Sequence, residues 1–183
     1  MAITYWTGQK ISLRALEPED ESIFDLLDDE ILRNMNSLHF PRSQAKRKEW
    51  LEEQAEEEDA FRFIAIDQND EVVGMIETFD CDRRNGTFDY YLAVFDPHRG
   101  KGYATEMIVM VMRFFFLELS YQKVNTTVYS FNKPSICMHE KLGFVKEGQL
   151  RNIIFTKGAY YDGVCFGMTR QEFVTLYGND DIL

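Results

Sequence analysis

A short run of glycines and cations, DPHRGKGYATE at residues 96–106, is the part of the sequence best suited to bind an anion. It lies directly after a strand-like segment and directly before an apolar one. When a strand enters a helix through glycines, the first helical turn leaves backbone N–H groups unpaired, and the helix dipole adds positive charge there. Gly100 and Gly102 let an anion approach the backbone, and Arg99 and Lys101 can add charge from the sides. The turn therefore predicts a phosphate-binding site.

Two familiar phosphate loops do not fit this turn. The nucleoside triphosphate loop needs G-x-x-x-x-G-K-[ST], whereas here Lys101 lies between the glycines and Tyr103 follows them. The dinucleotide loop needs a third glycine, and Thr105 occupies that position. A tight turn selected for packing alone stays an alternative on this pattern.

The elements around the turn are expected to form a strand-turn-helix unit at the end of an antiparallel meander. Residues 103–119 are predicted to be a core helix because residues 107–119 are almost wholly apolar. Asn69-Asp70 and Asn85-Gly86 are turn formers that separate the preceding strand-like segments. Those three predicted strands are Phe61–Asp67, Val72–Phe79 and Phe88–Phe95.

The remaining segments extend this unit on both sides. Upstream, residues 10–16 alternate as a half-buried strand, residues 17–30 carry a helix-start signature, and a charged helix begins near residue 44. Downstream come a strand, a short helix, two last strands and a terminal helix. Their signals are Lys123–Tyr129, the cap Asn132 with Pro134, the stop Gly143, the turn at residues 156–158 and the capping box TRQE from Thr169.

Composition limits the class of protein. A chain of 183 residues with 45% hydrophobic content predicts one domain over residues 1–183, with a core at about residues 10–176. The net charge of −11 disfavours a nucleic-acid partner. We expect no membrane span and no export signal, and therefore a cytoplasmic protein with free thiols. The spacing of the Cys and His residues predicts no metal site.

The motif Arg99-x-x-Gly102-x-Ala104 resembles the acyl-CoA pyrophosphate motif of the GNAT superfamily of N-acetyltransferases, R/Q-x-x-G-x-G/A. The later segments KVNTTVY, FNKPS and HEKLGF occur in the order and spacing of that family. EGQLR and AYYDGVCFGMTRQEF are similar to the tail of its branch of ribosomal-protein N-terminal and spermidine N-acetyltransferases. The resemblance covers roughly residues 10–176 and implies an α/β fold. Its central sheet would be mixed and mostly antiparallel, with about seven strands, flanking helices, and fourth and fifth strands that splay apart.

The resemblance also implies where acetyl-CoA, the cosubstrate, would bind. Leu92, Ala93 and Val94 would offer backbone hydrogen bonds to the pantetheine arm and the acetyl carbonyl. Asn132 matches the family position that contacts the arm from the other side, and a plain helix cap is equally compatible with it. The pyrophosphate would lie on the turn formed by Arg99, Gly100, Lys101, Gly102, Tyr103, Ala104 and Thr105.

Acetyl transfer to an amine needs a base, because a lysine-like amine with a pKa near 10.4 is charged at neutral pH. Glu77 on the third predicted strand is the first candidate, with Asp89 on the neighbouring strand as the alternative. The leaving thiolate of CoA gains from a proton donor. In many relatives this donor is a tyrosine directly before EKLGF, and here that position is His139. Two roles are open for His139: the proton donor that replaces the tyrosine, or a polar packing residue beside the cleft.

The acceptor is expected to be a primary amine, either a polyamine-like small molecule or a protein N-terminus. The acidic stretch Glu52 to Asp59 favours the first and the EGQLR segment favours the second. A non-catalytic acyl-CoA sensor is the alternative function, since His139 replaces the usual tyrosine. A homodimer is left open.

Overall fold

The computed structural model of the chain describes residues 4–55 and 60–178. Seven strands form one sheet in the order β1-β2-β3-β4-β5-β7-β6. All neighbouring strands are antiparallel except β4 and β5, which run parallel. The mixed, mostly antiparallel sheet that the resemblance implies is therefore present. The strands are β1 Ile11–Ala15, β2 Phe61–Asp67, β3 Val72–Asp82, β4 Thr87–Val94, β5 Lys123–Tyr129, β6 Val145–Thr156 and β7 Ala159–Thr169.

Five α-helices and one 3-10 helix are present among the described residues. They are the 3-10 helix Asp20–Asp25, α1 Asp29–Asn34, α2 Gln44–Ala55, α3 Tyr103–Leu117, α4 Lys133–Lys141 and α5 Arg170–Tyr177. Within the described ranges, none of these helices is long and apolar enough to cross a membrane.

The region after β1 differs from the helix expected there. It contains two short helical segments, because Asp28 is extended and caps α1 by accepting a hydrogen bond from the Ile31 N–H at 2.7 Å. The other caps follow the sequence signals. Gly143 is left-handed after α4, and Thr169 and Glu172 form the reciprocal capping box of α5.

The core lies on both faces of the sheet. On one face α3 buries most of its side chains against β1, β3 and β4, because this helix is apolar nearly all round. On the other face a smaller apolar cluster joins the 3-10 helix and α1 to β2, β3 and β4. The turn between β4 and α3 is thus held between a buried strand and a buried helix.

Candidate active site between the two splayed strands

A gap opens between β4 and β5 because the two strands pair only at their beginnings. Pairing joins Thr87–Asp89 to Lys123–Asn125, and just beyond it the Thr126 hydroxyl donates to the Tyr90 carbonyl at 3.3 Å. β4 continues to Val94 along β3, whereas β5 continues along β7. The splayed strands implied by the resemblance are therefore present.

The backbone of β4 directs alternate residues toward this gap. The Phe95 N–H donates to Val73 of β3 at 2.9 Å. Since hydrogen-bonding direction alternates along a strand, Ala93 also faces β3, and its carbonyl lies 2.4 Å from where a Cβ on Gly74 would be. Leu92 and Val94 direct their backbone groups away from β3. They are the members of the predicted Leu92–Val94 set whose backbone can meet a ligand in the gap.

The predicted anion site has the backbone geometry that its glycines indicate. Gly100 and Gly102 are left-handed, with φ of 79° and 87°. Gly102 is the N-cap of α3 and makes no side-chain cap, so helix geometry leaves the N–H groups of Tyr103, Ala104 and Thr105 without intrahelical acceptors. These donors and the helix dipole make the turn able to hold a phosphate group.

Arg99 is already surrounded by acceptors. Its Nε donates to the Val94 carbonyl at 3.2 Å, and its terminal nitrogens lie 3.1 Å from Asp28, 3.6 Å from Asp96 and 3.9 Å from Glu30. A phosphate that binds Arg99 must therefore compete with carboxylates. Asp28 caps α1 and Glu30 lies in its first turn. These ion pairs therefore connect Arg99 to a helix that packs on the face of the sheet opposite α3.

Lys10 is a cation at the turn that the sequence pattern did not single out. Its ammonium donates to the Lys101 carbonyl at 2.9 Å and lies 2.8 Å from where a Cβ on Gly102 would be. The Lys101 ammonium itself lies 3.4 Å from His98 and 5.9 Å from the Tyr103 ring centre. A shallow cavity of about 190 Å³ adjoins the two lysines. Its lining is Lys10, Asp67, Gln68, Asn69, Lys101 and Tyr103.

Buried Glu106 explains how Lys10 reaches the turn. Its carboxylate accepts the Lys10 backbone N–H at 2.9 Å, and a Cβ on Gly8 would come within 2.0 Å of it. The segment before β1 is thereby attached to the first turn of α3. Local sequence patterns do not predict this contact, because the two residues are 96 positions apart in the chain.

A second group near the turn consists of Asp67, Glu71 and His98, whose potential ligand atoms lie within 4.8 Å of one another. Asp67 accepts the backbone N–H groups of Asn69 at 2.8 Å and Glu71 at 3.1 Å. Its carboxylate therefore stabilises the β2–β3 turn, which is sufficient reason for its position.

Asn132 caps α4 on the other side of the gap. Its side-chain carbonyl accepts the Ser135 N–H at 3.2 Å, so the capping role is confirmed. That contact uses the carbonyl oxygen and not the amide NH₂ group. A contact to the cofactor arm remains compatible with capping and stays a prediction.

His139 is buried, and both of its ring nitrogens have protein partners. Nδ1 lies 2.7 Å from the Ser135 carbonyl, and Nε2 lies 2.7 Å from the Tyr90 hydroxyl. The ring stacks on Phe166 and meets Phe144 edge-on. Burial lowers the pKa of His139, and the hydrogen bond to Ser135 partly opposes that shift. His139 can therefore influence a ligand in the gap only through Tyr90 or after a rearrangement.

Glu77 is buried in an ion pair on the face of the sheet opposite α3. Arg62 approaches one carboxylate oxygen at 2.7 Å, and the Tyr91 hydroxyl donates to the other at 2.5 Å. The Arg62 guanidinium lies 5.8 Å from the ring centre of Trp50 on α2. To act as a base, Glu77 would have to weaken a buried charge pair.

Asp89, the alternative base, lies where β4 and β5 separate. Burial and the nearby Asp80 raise its pKa, while a hydrogen bond from Asn125 and the charge of Lys123 oppose that shift.

The structure describes only part of the acidic stretch that favours a cationic acceptor. Glu52 and Glu53 are exposed on α2, and residues 56–59 lie outside the described ranges.

Comparison with known proteins decides the family. Residues 10–145 match the family model described as acetyltransferase (GNAT) domain. The chain belongs to the GNAT acetyltransferase family. This GNAT chain is 73% identical to the SPbeta prophage-derived uncharacterized N-acetyltransferase YokL of Bacillus subtilis (strain 168), over 97% of this chain and 100% of that one. The resemblance and the expectation of an acetyltransferase enzyme are confirmed.

More distant GNAT relatives include polyamine enzymes. The spermidine N(1)-acetyltransferase of Vibrio cholerae serotype O1 is 26% identical over 85% of this chain and 90% of that protein. A crystal structure of the spermidine N-acetyltransferase from Vibrio cholerae, in complex with CoA and spermine, has a TM-score of 0.82. It is 22% identical and covers 90% of this chain and 98% of that one, a likeness that shows the shared fold.

Proposed function

We propose that this enzyme transfers the acetyl group of acetyl-CoA to a primary amine of a cationic acceptor, by direct attack of the amine through a tetrahedral intermediate. The observation that carries the proposal is the left-handed glycine turn at the mouth of the β4–β5 gap. It combines unpaired N–H groups with nearby Lys10, Lys101 and Arg99. A pyrophosphate on the turn would extend the pantetheine arm into the gap beside Leu92 and Val94.

The acceptor is a small polyamine-like cation in this proposal. The chain carries a net charge of −11, and Glu52 and Glu53 are exposed on α2. The polyamine substrates named for the Vibrio cholerae relatives support the same class. A protein N-terminus is the second acceptor class, because an α-amine has a lower pKa and is more often uncharged at neutral pH.

The catalytic roles expected for Glu77 and His139 are proposals that the geometry constrains. Glu77 lies on the face that carries α2, where the acceptor would approach, but its carboxylate is shared with Arg62. His139 lies on α4 at the inner end of the gap, with Tyr90 in front of its Nε2. Proximity of two bound substrates supplies much of the acceleration in such transfers.

Release of CoA thiol from acetyl-CoA tests this function. The panel contains spermidine, spermine, a peptide with a free N-terminus, and a neutral amine. We expect amine-dependent thiol release, fastest with the polyamines. Tight CoA binding without amine-dependent release would instead favour the sensor alternative.

A further inference from the structure

The hydrogen bond between Tyr90 and His139 lies at the inner end of the gap, where β4 and β5 begin to separate. Both side chains are 3% exposed, and they join β4 to α4 across the gap. The Thr126 hydroxyl holds the Tyr90 carbonyl at the same point. A buried phenol and imidazole thus meet at the closed end of the gap between the two strands.

The partners of His139 fix the direction of this hydrogen bond. A carbonyl oxygen only accepts, so Nδ1 must carry a proton and donate it to Ser135. In the neutral ring Nε2 is then the acceptor, and the Tyr90 hydroxyl donates to it. The resting pair can therefore take up a proton at the Tyr90 oxygen while passing the Tyr90 proton to His139.

We propose that Tyr90 is a catalytic residue that carries the proton of the attacking amine to the leaving sulfur, with His139 holding a proton between the two steps. This proposal rests on the proposed acetyl transfer. Tyr90 touches the reacting atoms, whereas His139 acts through Tyr90.

The proton transfers balance without another reactant. When the neutral amine bonds to the acetyl carbon, its nitrogen becomes positive and gives a proton to the Tyr90 oxygen, while the Tyr90 proton moves to Nε2. When the carbon–sulfur bond breaks, the sulfur keeps the electron pair and receives the proton of Tyr90, which regains a proton from Nε2. The nitrogen has lost one proton, the sulfur has gained one, and the pair returns to its resting state.

One hydroxyl can serve both steps because the nitrogen and the sulfur are bonded to the same carbon in the intermediate. The Ser135 carbonyl stabilises the imidazolium that forms between the steps, since it accepts from a charged donor. Burial keeps the pKa of His139 low, so the ring is ready to accept at neutral pH. The rings of Tyr90, Phe144 and Phe166 surround it, and no charged group of the described chain contributes to that shift.

Three variants separate proton transfer from packing. Tyr90→Phe keeps the ring and should lower kcat about 10²-fold while the Kd for CoA stays unchanged. His139→Gln retains an acceptor for the Tyr90 hydroxyl but cannot hold a proton, and it should lose nearly as much. The double variant should have the same kcat as the slower of the two single variants, because the two residues act as a unit. Tyr177→Phe is the matched control, since it also removes a tyrosine hydrogen bond, to Leu142.

Loss of activity on the acid side is the readout that packing would not change. Wild-type kcat should fall as the pH drops through the lowered pKa of His139, and this decrease should be absent from the residual activity of His139→Gln. Folded Tyr90→Phe or His139→Gln with wild-type kcat would overturn the proposal. Loss of amine-dependent thiol release in the wild type would instead overturn the function itself.

Nitrogen-15 NMR of labelled histidine keeps the test decisive if Tyr90→Phe does not fold. The chain has 3 histidines, so His139 can be assigned by substitution. We expect a proton on Nδ1 and none on Nε2. The opposite tautomer would remove the acceptor on which the proposal depends.

Discussion

Gly102→Glu is expected to weaken the binding of CoA by placing a carboxylate where the pyrophosphate is proposed to lie. The Cβ of residue 102 would be 2.8 Å from the Lys10 ammonium, so the new carboxylate also neutralises this cation. Gly158→Glu is the matched control. Gly158 is left-handed as well, with φ of 75°, and open space surrounds its Cβ position.

The expected loss of CoA binding free energy in Gly102→Glu follows from the charges at the turn. At a separation of about 6 Å and an effective dielectric constant between about 20 and 80, the carboxylate repels each pyrophosphate charge by roughly 0.7 to 2.8 kcal/mol. Two charges give at least about 1.4 kcal/mol, which corresponds to roughly tenfold weaker binding. A left-handed glutamate also costs about 1–2 kcal/mol of stability at either position, so both variants should lose similar thermal stability.

Isothermal titration calorimetry with CoA measures the difference. We expect the Kd of Gly102→Glu to rise at least tenfold and that of Gly158→Glu to stay at the wild-type value. Unchanged affinity in folded Gly102→Glu would refute the assignment of the turn as the pyrophosphate site. Equal weakening in both variants would show that strain, rather than position, is responsible.

Three further predictions concern charge. Glu77→Gln should lower the free energy of unfolding by about 3 kcal/mol in urea titration, because its buried arginine partner stays charged, whereas the exposed Glu52→Gln should change it by less than about 0.5 kcal/mol. Since the folded-state pKa of His139 is lowered, only the unfolded chain takes up a proton at this residue as the pH falls below about 6.5, and the free energy of unfolding should decline there. His139→Leu should flatten that decline in urea titrations at a series of pH values, and an unchanged decline would contradict the lowered pKa. The double variant Glu52→Lys with Glu53→Lys should lower kcat/KM for spermidine in low salt and leave kcat/KM for a neutral amine unchanged. If the double variant and the wild type have equal kcat/KM for spermidine, these two carboxylates play no part in attracting the acceptor.

Most of the elements follow from local patterns. Period-two alternation gives β1, turn formers separate the meander strands β2 to β4, and the capping box at Thr169 starts α5 where expected. The glycine turn was predictable because left-handed positions leave few alternatives to glycine. The 3-10 helix and α1 were expected as one helix, since the extended conformation of Asp28 depends on its contacts with Ile31 and Arg99.

The candidate site was less predictable because its contacts join distant parts of the chain. Lys10 reaches the turn only through Glu106, and Tyr90 meets His139 only because β4 and α4 flank one gap. Local sequence indicates that Glu77 lies on a strand, but not that Arg62 is its cross-strand partner. Such pairings are set by register and helix placement.

Transfer of a labelled acetyl group tests the central claim most directly. Acetyl-CoA labelled with carbon-13 in the acetyl group is incubated with spermidine, and the amide product and the free CoA thiol are measured together. We predict one labelled amide for each thiol released, with both products at least tenfold lower in Gly102→Glu at acetyl-CoA concentrations below the Kd and retained in Gly158→Glu. Thiol release without labelled amide, or CoA binding with neither product for any amine, would contradict acetyl transfer to an amine.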